Sequence, residues 1–144
     1  MSDAKPRIRI VSAEIRRDGQ YLITQRPDHA VLPGLWEFPG GRVRRGESDA
    51  EALARCLRKR LGVAVEVGAQ VLEVPHSYPH YELVLAVYSC APQDEPVAGS
   101  VADIAWVLPD ELADYPFPDA DQATVEKILR NDDMTDLEGP PIVR

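Results

Sequence analysis

A chain of 144 residues, 44% hydrophobic and 28% charged, suits one compact globular domain, and no stretch reaches the ~18 apolar residues of a membrane span. A net charge of −8 argues against a general binder of nucleic-acid polymers. Cys56 and Cys90 make no disulfide framework, and MSDAKPRIRI has no apolar run before a cleavage site, so a cytoplasmic protein with reduced thiols is expected.

The charge is unevenly spread. Residues 1–60 hold 13 Lys and Arg against 8 Asp and Glu, and residues 61–144 hold 3 against 16. Any polyphosphate should be met by the first 60 residues, unless both halves are ordinary solvated surface.

In chain order, RIRIVSAEIRR alternates as a strand, with Ile8, Ile10 and Ser12 on one side. Asp18-Gly19 is a tight-turn pair, and YLIT resumes as the partner strand of a hairpin. PDHAVLPG is a loop, and LWEFPGG a short strand closing on a Pro-Gly-Gly turn. A helix follows: Ser48 is its N-cap, Glu51 completes a capping box, and Gly62 stops it. Ala50, Leu53, Ala54, Leu57 and Leu61 form its expected buried stripe.

VAVEVGAQVLEV and YELVLAVYSC read as two strands joined by the loop PHSYPH, and IAWVL as a short strand. A second helix is expected over roughly 120–130, buried through Val125, Ile128 and Leu129. The expected organisation is one domain over 1–131, folded as an α/β or α+β sandwich, and an acidic, Pro-containing tail over 132–144.

Gly41, Glu47, Arg55, Leu57, Gly62 and Val63 fall at the spacing of the Nudix box, and the segment resembles it. LWEFPGG, HSYPHYEL and PFPDAD resemble MutT-type members that act as 8-oxo-dGTP or CTP pyrophosphohydrolases, so the resemblance covers about residues 7–130. It implies a mixed β-sheet between helices and a metal-dependent cleavage of nucleoside polyphosphates. It also implies a ligand that is a nucleotide or a nucleoside diphosphate-linked small molecule. Neither a nucleic-acid polymer nor a membrane is expected as a partner, and a homodimer is a candidate assembly.

The departures from the pattern bear on the chemistry. The three glutamates of the family's box helix fall on Cys56, Lys59 and Arg60. Glu47 and Glu51 remain as candidate catalytic acids, and Asp103 is a possible substitute for a later acid where Ser100 is not acidic. A unit charge ~4 Å away contributes about 4 kcal/mol at an effective dielectric of 20, and a divalent ion would feel roughly twice that as repulsion from Lys59 or Arg60. No metal is therefore expected at the usual helix positions and no tightly bound cofactor, with Mg or Mn needed only if the protein is an active hydrolase.

Fixed cations substitute for the metal in this reading. Arg26, Arg55, Lys59 and Arg60, with the backbone of Gly40 and Gly41, are the candidate phosphate-binding residues. Phe38, Asp119 and Asp121 are the candidate base-binding residues. Asp121 stands where the family places an Asn, and an ionised Asp would only accept hydrogen bonds. A core Phe38 and a helix-capping Asp121 explain the same residues without a ligand. Trp36 fits burial better than base stacking, and His76 and His80 are too few for a zinc site. Two functions stay in contention: a nucleotide-binding protein with hydrolysis lost or very weak, and a working hydrolase of unusual metal ligation through Glu47, Glu51 and Asp103.

Overall fold

The computed structural model describes residues 5–138, with side chains described as far as Arg130. Among the described residues, eight strands fall into two sheets. The first has the order β5-β1-β7-β6 and contains β1 (Arg7–Glu14), β5 (Gly40–Arg42), β6 (Val65–Tyr78) and β7 (Tyr81–Pro92). Strands β1 and β7 run parallel, and the other pairs antiparallel. In the second sheet β3 (Gln20–Gln25) pairs antiparallel with β2 (Arg16–Arg17), β4 (Trp36–Glu37) and β8 (Asp103–Val107).

The expected hairpin forms, but with a different first arm. Asp18 and Gly19 both have positive φ, as a tight two-residue turn requires. The strand facing β3 across that turn is only Arg16–Arg17, because the chain changes sheet at the fully buried Ile15. Alternation specifies which side of β1 is buried, and leaves the choice of neighbouring strand to tertiary contacts. The Pro-Gly-Gly stretch is likewise more than a turn, since Gly40 and Gly41 open β5, opposite Ser12 and Val11. PHSYPH is mostly strand: β6 continues to Tyr78 and only Pro79 and His80 turn.

Helix α1 (Asp49–Leu61) has the expected capping box, which contributes about 1 kcal/mol, and Gly62 closes it in the left-handed conformation. Its buried residues are Ala52, Leu53, Cys56, Leu57 and Leu61, so the stripe is rotated from the expected one. Ala50 and Ala54 are exposed, and Cys56 takes an inward place. Each buried leucine contributes roughly 1.5–3 kcal/mol, and Leu57→Ala would cost about 2–5 kcal/mol.

Helix α2 (Gln122–Glu138) follows a 3-10 turn over Asp119–Asp121 and runs eight residues beyond the expected end at 130. The first residues of the expected acidic tail are thus helical, and 139–144 lie outside the described residues. Val11, Ala13 and Ile15 pack with Leu53, Leu57 and Leu61 under α1, while Ile23, Phe38 and Val107 pack with Val125 and Ile128 of α2. The result is the expected α/β/α sandwich, with a third cluster around Leu83, Leu85 and Val87 on the face of the first sheet away from α1. None of the described helices is long and apolar enough to cross a membrane.

Candidate functional site

A cleft of about 380 Å³ opens where the two sheets meet. Ile8, Ile10 and Ser12 of β1 and Leu83 and Leu85 of β7 form its floor. Glu37, Phe38, Gly40 and Gly41 form one wall, with Arg26 and Arg60 above them. Pro118, Ala120 and Asp121 approach from the start of α2, and Tyr78 and Tyr81 from the tip of the β6–β7 hairpin. Mostly apolar walls with a few charged groups are the usual build of a small-molecule site.

Six candidate residues from the sequence meet here: Arg26, Phe38, Gly40, Gly41, Arg60 and Asp121. Gly40 is required by packing, since a Cβ there would lie 1.9 Å from the Val11 carbonyl oxygen. At Gly41 a Cβ would meet Cys56 Sγ at 2.6 Å and Arg60 Nη2 at 3.3 Å. The absent side chain lets Cys56 tuck under the strand and leaves Arg60 room to turn toward the cleft.

Glu47, Glu51, Arg55, Lys59 and Asp119 do not line it. Arg55 donates to both oxygens of Glu47 at 2.7 and 2.8 Å, and Glu47 also accepts from the Arg44 N–H. The Arg55 guanidinium and that N–H hold the Glu47 carboxyl down at about 2. Glu51 accepts from the Ser48 N–H in the capping box. Lys59 and Asp119 are exposed. Since each residue turns about 100° around a helix, Lys59 and Arg60 cannot share a direction.

Other weighed residues lie outside the cleft. Trp36 meets the edge of Tyr115 at 5.1 Å, and Asp103 accepts from its neighbour's N–H. His76 lies in β6 beside Tyr78, and His80 is exposed in the turn.

The sequence reading passed over Glu37. Its Oε1 accepts from Arg26 Nε at 3.1 Å and Nη2 at 2.9 Å, and its Oε2 lies 3.7 Å from Arg60 Nη1. The available signal was an acid between two aromatics in a short apolar strand, a place where a carboxylate needs a cationic partner.

Asp121 corrects an assumption. It is buried and caps no helix N–H, since its carboxyl makes no hydrogen bond among the described residues. Burial, reinforced by repulsion from Glu37 and opposed by Arg26, pushes the carboxyl up to about 8. At neutral pH it is mostly a neutral acid, with one donor and one acceptor, rather than the ionised acceptor expected.

The resemblance implies a divalent metal, and the donors do not fit one. At the positions the resemblance implies for the box-helix acids, Cys56 is buried beneath Gly41, Lys59 is a cation facing solvent and Arg60 is a cation held by Glu37. The two remaining box acids are committed to Arg55 and to the helix cap. Among the described residues no three His, Cys, Asp or Glu side chains are grouped to hold an ion.

Residues 11–127 match the model of the NUDIX domain. This chain is a member of the Nudix family. It is 34% identical over 125 residues to the CTP pyrophosphohydrolase of Escherichia coli K12, covering 85% of this chain and 91% of that protein. It is 31% identical over 121 residues to the nucleoside triphosphatase NudI of Salmonella agona, covering 74% and 85%. Among solved structures, MutT of methicillin-resistant Staphylococcus aureus 252 superposes with a TM-score of 0.70 at 32% identity, covering 88% of this chain and 98% of that one. The Nudix fold expected from the sequence is therefore established, with MutT-like nucleoside triphosphate hydrolases among the relatives.

Proposed function

We propose that this Nudix protein binds a nucleotide, or a nucleoside diphosphate-linked molecule, with metal-dependent hydrolysis lost or very weak. The carrying observation is Arg60: a guanidinium beside the cleft, ion-paired to Glu37, at a position where the resemblance to the Nudix box implies an acid. Arg60 and Arg26 supply fixed positive charge for phosphate oxygens, and a planar guanidinium suits them bidentately. Lys59 adds charge from outside the cleft. The base enters the apolar part beside Phe38, with Asp121 at its edge. A neutral carboxylic acid pairs with an acceptor beside an amino donor, the arrangement of cytosine N3 and N4 or adenine N1 and N6. A cytoplasmic location, with no nucleic-acid polymer or membrane as partner and a homodimer as the candidate assembly, belongs to the same reading.

The second reading is an active hydrolase that cleaves ordinary or oxidised nucleoside triphosphates to monophosphate and pyrophosphate. It is favoured by the named activities of the relatives and would need an unusual metal cage built from Glu47, Glu51, Asp103 and substrate phosphates.

Incubation with a panel of nucleoside triphosphates and sugar-linked diphosphates, with Mg²⁺ or Mn²⁺, separates the two. Binding that persists in chelator without release of monophosphate supports the first. Turnover on the order of 1 per second removes it. The combined variant Cys56→Glu, Lys59→Glu, Arg60→Glu is expected to gain metal-dependent hydrolysis.

A further inference from the structure

Two buried side-chain oxygens among the described residues have no hydrogen-bond partner: Ser12 Oγ and Thr124 Oγ1. Ser12 is 2% exposed and Thr124 is fully buried. Only Ser12 lines the cleft. A buried hydroxyl without a partner costs stability, and alanine at the same place would carry no such cost. Its neighbour in β1, Ala13, is itself an alanine packed in the core under α1.

The position is fixed from both sides. Ser12 lies opposite Gly40 of β5 and beside Val87 of β7. Ile8 and Ile10 share its face, so the hydroxyl is the polar group at the end of an apolar row on the cleft floor. From the start of α2, Asp121, a buried residue, lines the same cleft and presents a second polar group to it. A purely apolar occupant would leave the Ser12 hydroxyl unsatisfied and cover the Asp121 carboxyl without a partner. A flat heterocycle with polar atoms on two edges would satisfy both and set its faces against Phe38 and Leu85.

We propose that Ser12 is a specificity-determining residue, its hydroxyl bonding one polar atom of the nucleobase at the cleft floor while Asp121 bonds another. The proposal rests on the cleft being the nucleotide site. It makes the hydroxyl a reader of the base, because a base without a polar atom at that edge leaves Ser12 as unsatisfied as it is in the free protein.

The test compares wild type, Ser12→Ala, Ser12→Cys and Thr124→Val by calorimetric titration with CTP, ATP, GTP and UTP in EDTA, alongside thermal melts. Ser12→Ala is expected to weaken the preferred nucleotide about five- to ten-fold, the worth of one hydrogen bond, and to melt at the same or a higher temperature. Ser12→Cys, of similar size but a weak donor, should show the same loss. Thr124→Val should raise the melting temperature and leave affinity unchanged. Equal affinity of Ser12→Ala and wild type, the same loss for all four bases, or a loss accompanied by a lower melting temperature would each overturn the role of Ser12. If wild type binds none of the four, the nucleotide reading falls and this inference falls with it. If wild type binds and the serine variants match it, the nucleotide reading stands alone.

Discussion

Arg26 lays both Nε and Nη2 on one oxygen of Glu37, at 3.1 and 2.9 Å. The other oxygen is left to Arg60 at 3.7 Å. One carboxylate therefore holds two guanidiniums from different elements beside the same cleft. Glu37→Gln would leave both cations without their counter-charge and is expected to cost about 1–3 kcal/mol, read in denaturant unfolding. Because Glu37 also repels the ionised form of Asp121, the same variant should shift the titration of Asp121 downward. A carbon-13 NMR titration of the carboxyl would show it.

Asp121 gives the protein a pH signature. Its carboxyl is raised from 3.8 to about 8, chiefly by burial. Between these values the folded chain holds a proton that the unfolded chain has released. This contribution to stability is full below about 4, falls as pH rises, and is gone above about 8. Asp121→Asn should flatten that decline in melting temperature between pH 5 and 8. Glu47 works in the opposite sense: its carboxyl is lowered to about 2, so its contribution is present above the ordinary carboxyl range and lost as pH falls toward 2. Glu47→Gln should therefore lower the melting temperature at neutral pH, with the difference from wild type shrinking as pH falls toward 2.

Arg60→Ala is expected to weaken CTP binding in EDTA by about tenfold or more, the worth of a charge-assisted hydrogen bond. Lys59→Ala, outside the cleft, should change it by about two-fold at most, and less at high salt. Equal losses at the two positions would show that the helix acts through its overall charge rather than through the Arg60 side chain.

Gly40→Ala should be severely destabilising, by about 3 kcal/mol or more, because the new Cβ would sit 1.9 Å from the Val11 oxygen. Gly19→Ala meets no atom within 4 Å and carries only the penalty of positive φ, about 1 kcal/mol. Chemical denaturation of the two variants checks the order.

What the sequence disclosed was mostly local. Ser48, Glu51 and Gly62 define α1 through bonds spanning a few residues, and Asp18-Gly19 defines its turn in the same way. The cleft was partly legible through the motif positions Arg26, Phe38, Gly40, Gly41, Arg60 and Asp121. Glu37 was not, because its meaning lies in Arg26 and Arg60, one just past the end of β3 and one on a helix. The sheet change at Ile15 leaves no trace in an alternating pattern, which is satisfied equally by either neighbour. Alanine misled at α1: Ala50 and Ala54 count as apolar in a stripe, yet their methyl groups cost little when left in water.

Helix α1 is secured at its two ends by residues other than those that meet the cleft. Its start is closed by Ser48 and Glu51, and its final carbonyls, on Arg58, Lys59, Arg60 and Leu61, accept from the N–H groups of Gly62, Ser100, Gly99 and Val97. The helix is thus held at both ends by contacts that do not involve the side chains of Lys59 and Arg60. Such a frame separates the architecture that displays positions 59 and 60 from whatever chemistry their side chains carry.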